Sequence, residues 1–113
     1  MKCERLDVWK RSCRLSVDVY KCFAESRDFG FKDQITRSSL SIASNIAEGL
    51  EKESEKEKMR FIEIAKGSGA ELITQVYIGI EIGYINKSIR INWIKELSEI
   101  HKMLSGLKNN YRR

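Results

Sequence analysis

Apolar residues recur every three or four positions along most of this chain, and four stretches carry that period clearly. In the first, Leu6, Trp9, Cys13, Val17, Tyr20 and Ala24 form one row, while Lys10, Arg14, Asp18, Lys21 and Glu25 share the opposite face at ion-pair spacing. The pattern predicts a helix over about 6–25, with its mixed charges turned to water. Ser26-Arg27-Asp28-Phe29-Gly30 then reads as a turn pivoting on Gly30. A second helix is predicted over about 33–48, with Ile35, Ile42, Ala43, Ile46 and Leu50 on its apolar side and Gly49 placed to end it in a left-handed cap.

Ser54-Glu55-Lys56-Glu57 has the spacing of a capping box, in which the Ser54 hydroxyl and the Glu57 carboxylate both satisfy free amides. It opens a third helix over about 55–82. Met59, Ile62, Gly69, Ile73, Val76 and Ile80 line one face, and Phe61, Ile64, Leu72 and Ile78 widen it until most of the circumference is apolar. Val76, Ile78, Ile80 and Ile82 also alternate at period two, a strand signal, but no other segment offers a partner strand. The small-residue run Gly67-Ser68-Gly69-Ala70 would let another helix approach closely; it lacks the spacing and the preceding strand of a phosphate loop. Gly83 closes the third helix. The fourth, over about 87–108, carries Trp93, Leu97, Ile100, Leu104, Leu107 and Tyr111 as a heptad-like seam. Four amphipathic helices with short connections predict an all-α fold, an up-down-up-down antiparallel four-helix bundle, formed by residues 1–113 as a single domain.

Composition sharpens that reading. With 113 residues and no proline, the chain has few obligatory helix breaks and enough length for one core. Its 3 cysteines, Cys3, Cys13 and Cys22, match neither a disulfide framework nor a zinc pattern, and Cys13 on the apolar row reads as a reduced, buried thiol. That usage, with no apolar leader and no membrane-length run, points to the cytoplasm. The single histidine, His101, cannot supply two Glu-x-x-His pairs, so a di-iron centre is excluded, and no zinc-protease, redox or nucleophile-elbow motif is present. The expectation is a protein without catalytic residues, metal or cofactor.

Charge distribution leaves two candidate surfaces. The net charge is +5, and residues 86–113 hold 7 basic side chains against 2 acidic ones. On a wheel of about 100° per residue, Lys87, Arg90, Lys95, Lys102, Lys108, Arg112 and Arg113 fall on one flank of the seam, away from Glu96 and Glu99. Such a flank suits phosphates, hence RNA or DNA. Gln34, Arg37, Ser41, Asn45 and Glu48 form a polar line on the second helix, away from Ile42 and Ile46, which a subunit interface would use.

Leu6-Asp7-Val8-Trp9, Gln34-Ile35-Thr36-Arg37-Ser38 with Ser41-Ile42, and Asn45-Ile46-Ala47-Glu48-Gly49 resemble the four-helix-bundle proteins encoded within intervening sequences of bacterial 23S ribosomal RNA genes. The likeness continues through Ser54, Glu57, Phe61, Ile64-Ala65, Gly67-Ser68, Glu71-Leu72 and Gly83-Tyr84, covering about residues 5–107, with Ser39, Ala43 and Gly69 as mild departures. The resemblance implies a cytosolic bacterial bundle assembling as a ring-like homopentamer, of unestablished biochemical role. It also implies a distant likeness to accessory proteins of diversity-generating retroelements, basic bundles that bind nucleic acid and a reverse transcriptase. Two functions follow as expectations: a non-enzymatic, nucleic-acid-associated oligomer, or a protein-interaction scaffold whose basic flank is only solvated surface.

Overall fold

The computed structural model describes residues 1–111. After a 3₁₀ turn at Lys2–Arg5 come α1 (Asp7–Cys22), α2 (Phe29–Leu50), α3 (Glu55–Glu81) and α4 (Lys87–Asn110). Each helix packs on its neighbours in the chain, α4 returns to α1, and no diagonal pair meets. Cross-helix contacts such as Ser41 with Ser68, Glu63 with Lys108 and Arg11 with Glu96 run in antiparallel register. The result is the antiparallel bundle that the periodicity predicts, with no strand among the described residues. The Val76–Ile82 alternation is helical. At about 1.5 Å per residue, α3 alone spans nearly the full 45 Å length of the molecule.

Local chemistry explains most boundaries. Ser54 Oγ accepts from Glu57 N at 3.1 Å, and Asn86 Oδ1 accepts from Ile89 N at 2.9 Å, each satisfying an orphan amide at a helix start. The capping box is only half made, because the Glu57 carboxylate turns to Arg60 Nε instead. Gly83 has φ +82°, a conformation that side-chain-bearing residues resist, and it ends α3 as expected. At α2 the expectation fails at both ends. Asp28 Oδ1 accepts from Phe31 N at 3.1 Å, so the helix begins at Phe29 and Gly30 lies in its first turn. Gly49 is helical and buried rather than a left-handed cap, and a Cβ there would meet Phe61 Cβ at 2.9 Å.

The larger correction concerns α1. Its inward row is Val8, Ser12, Leu15, Ser16 and Val19, continued by Phe23, whereas Val17 and Tyr20 are each 44% exposed and Cys13 is only half-buried. Serines read as polar from the sequence, yet here their hydroxyls are satisfied inside the bundle. Ser12 Oγ donates to Val8 O at 2.7 Å, and Ser16 meets Ser39 of α2 at 3.0 Å. Because Ser39 Oγ donates to Thr36 O, Ser16 is the donor of that pair. Small buried side chains of this kind cost little packing volume and let α1 and α2 approach. The α4 seam behaves as predicted, with Trp93, Leu97, Ile100 and Leu104 buried and Leu107 and Tyr111 packed at its end.

Candidate nucleic-acid and subunit surfaces

Packing divides the basic flank of α4. Lys108 Nζ lies 2.6 Å from Glu63 Oε1 of α3 and is largely covered. Its hydrogen bond, helped by Lys66, holds the Glu63 carboxyl below the ordinary carboxylate range. Arg90 stacks its guanidinium over the Tyr77 ring of α3, 4.7 Å from the centroid. Lys87, Lys95 and Lys102 remain exposed, and among the described residues only Lys102 of these has a carboxylate within ion-pair distance, Glu99 at 3.9 Å. Arg112 and Arg113 lie outside the described residues. The structure therefore keeps three of the five described cations facing water and engages two with α3.

Both acids assigned to the opposite flank face α1. Glu96 takes Arg11 in a two-pronged ion pair, with Arg11 Nε to Oε2 at 2.9 Å, and Arg11 also donates to Met103 Sδ. The Arg11 hydrogen bonds hold the Glu96 carboxyl low and the guanidinium high. This pair spans a groove of about 870 Å³ between α1 and α4, whose lining includes Arg14, Lys21 and Lys95. Arg14 and Lys21 read from the sequence as ordinary solvated charges; only the fold sets them beside Lys95.

The polar line of α2 is partly used within the chain. Asn45 Nδ2 donates to Ser41 O and Oγ at 2.8 and 2.9 Å, and Ser41 meets Ser68 of α3 at 2.8 Å. Ser68 donates in turn to Ile64 O, which makes Ser41 the donor to Ser68 and gives the chain of bonds one direction. Arg37 pairs with Asp33 one turn away, while Gln34 and Glu48 are exposed. Ser68 thus contributes a hydrogen bond across α2 and α3, but nothing stands within 4 Å of a Cβ built on Gly67 or Gly69, so those two glycines do not provide the close approach expected of the run. That role belongs to Gly49, while Gly79 makes room for Ile85 of the connection to α4, whose Cδ1 a Cβ would meet at 2.6 Å. Beside this line, Gln75 Oε1 is buried with no hydrogen-bond partner, and Ile64, Ile78 and Ile82 of α3 are exposed. Ile64 and Ile78 are among the residues that widen the apolar circumference of α3 in the sequence, whereas Gln75 carries no sequence signal.

Cys13, Val17 and Tyr20 of α1, core positions by the sequence pattern, instead form a third surface. With Leu40, 49% exposed, and Ala43 of α2 they line an apolar groove of about 380 Å³. Burial raises the Cys13 thiol above its ordinary value. His101 is exposed on α4. No group of three or more His, Cys, Asp or Glu stands ready to hold a metal among the described residues. No helix there is long and apolar enough to cross a membrane.

The fold and its surfaces define a small antiparallel helical bundle with charged and apolar faces left open. The family model described as 23S rRNA-intervening sequence protein matches residues 4–106, and the chain belongs to that family. It is also similar, with a TM-score of 0.83 and 26% identity over 89% of this chain and 97% of the other, to a crystal structure from Bacteroides thetaiotaomicron VPI-5482, a protein of unknown function from the S23 ribosomal protein family. No curated protein matches.

Proposed function

We propose that this chain is a non-enzymatic, oligomeric bundle of the bacterial cytoplasm that associates with RNA through the outer face of α4. The supporting observation is that Lys87, Lys95 and Lys102 share that face, with Glu99 at 3.9 Å the sole carboxylate near them among the described residues. Cations so placed reach phosphates and release counterions on binding, so affinity depends on salt. Trp93 is buried in the seam and Tyr77 lies under Arg90, so the outer face offers no row of stacking rings and reads no sequence. A ring of copies, five as the family resemblance implies, would multiply a weak surface several-fold.

The test is fluorescence anisotropy of labelled RNA near about 50 mM salt. Binding should fall steeply with added salt and be lost in Lys87→Glu/Lys95→Glu/Lys102→Glu, with helicity and oligomer mass unchanged. Lys108 is left alone because it holds Glu63. No binding by the wild-type protein, or equal binding by the variant, overturns the reading. The scaffold reading then stands, favoured by the apolar groove around Val17, Tyr20 and Leu40.

A further inference from the structure

We propose that the groove between α1 and α4 seats single-stranded RNA, with bases on its apolar floor and phosphates on cations of both walls; this rests on the RNA reading above and names the form of RNA. The floor is built by Leu15, Cys22, Ile89 and Trp93. Arg14 and Lys21 stand on the α1 wall and Lys95 on the α4 wall, and none of the three pairs with a carboxylate among the described residues. The acids of the groove do not cancel them. Glu96 is bonded to Arg11, Glu99 lines the groove with Lys102 at 3.9 Å, and Asp18 is an acceptor suited to an exocyclic base amine.

Size and continuity select the occupant. A volume of about 870 Å³ is that of sites which take small organic groups, so a splayed base or two fits. A duplex keeps its bases stacked inside and would touch only the rims. Lys95 belongs both to this wall and to the outer row of α4, so a strand held along that row passes directly into the groove. An acidic polypeptide would find the same cations, and the experiment separates it.

Two thiols report occupancy without any mutation. Cys22 lines this groove, while Cys13 lines the separate groove between α1 and α2. A single-stranded oligonucleotide of about 12 residues should slow iodoacetamide alkylation of Cys22 several-fold and leave Cys13 unchanged. Arg14→Gln/Lys21→Gln should weaken that oligonucleotide about tenfold or more while barely changing a duplex of equal length. The proposal falls if Cys22 and Cys13 respond alike, if the variant binds the single strand normally, or if polyglutamate protects Cys22 as well as RNA does. Duplex binding with Cys22 unprotected would sink the groove and keep the outer-face reading. Failure of both forms to bind sinks both.

Discussion

Four serines, Ser12, Ser16, Ser39 and Ser68, sit where a hydrophobic pattern would place aliphatic side chains, and each hydroxyl finds an acceptor within the bundle. A buried hydroxyl is tolerable only when so bonded. The same logic applies to charge at Arg11 and Glu96, whose side chains are 35% and 28% exposed and bonded two-fold. Glu96→Gln leaves a half-covered guanidinium with one weaker partner and should cost about 1–2 kcal/mol in urea unfolding. Because the folded Glu96 carboxyl lies below its ordinary 4.5, its contribution is complete above that value and fades as pH falls through the lowered one. Glu63 and Asp28 are lowered too, Glu63 chiefly by Lys108 and Asp28 chiefly by the Tyr84 hydroxyl. Stability should therefore decline below about pH 4.5, and Glu96→Gln should flatten that decline. An unchanged acid limb would show that Arg11 does not hold Glu96 in solution.

The glycines separate helix by helix into those that pack and those that merely interrupt. A methyl at Gly49 meets Phe61 Cβ, an atom fixed to the α3 backbone, whereas at Gly67 and Gly69 it meets nothing within 4 Å. Gly49→Ala should therefore destabilise by about 1–3 kcal/mol through overpacking between α2 and α3. Gly67→Ala and Gly69→Ala should each stabilise by about 0.5–1 kcal/mol, since alanine costs less to hold in a helix. Chemical denaturation of the three variants checks the contrast. The loops at one end are tied similarly, for Tyr84 donates to Asp28 Oδ2 at 2.7 Å and packs edge-on against Phe23 and Phe31. That contact joins the start of α2 to the segment between α3 and α4.

Across the whole molecule, exposed apolar side chains are spread widely, Phe29 and Ile91 among them, but two groups suit association. Val17, Tyr20 and Leu40 lie between α1 and α2, and Ile64, Ile78 and Ile82 lie on α3 beside the α2 polar line. The first is a continuous apolar groove, the kind of surface that marks association, while the α3 isoleucines are spaced along one helix. Native mass spectrometry should find an oligomer, five chains being the number the family resemblance implies. Val17→Lys/Leu40→Lys and Ile64→Lys/Ile78→Lys should differ, the pair that lowers the mass identifying the face used. A monomer at micromolar concentration for the wild-type chain would refute assembly.

Helix number, order and the α4 seam were legible in the sequence, as were the Ser54 hydroxyl cap and the Gly83 stop. Each depends on residues within one or two turns, where amphipathic period, an orphan amide or a positive φ leaves few alternatives. The inward face of α1 was not legible, because a serine reads as polar until Ser39 on another helix is known to bond it. Nor was the fate of the basic flank: Lys108 reaches Glu63 and Arg90 reaches Tyr77 only once α4 has a rotation relative to α3. The placing of Arg14 and Lys21 opposite Lys95 follows from the same cause. A periodic pattern reports how a helix differs around its own axis, while the rotation of each helix against its neighbours is settled by the packing of all four together.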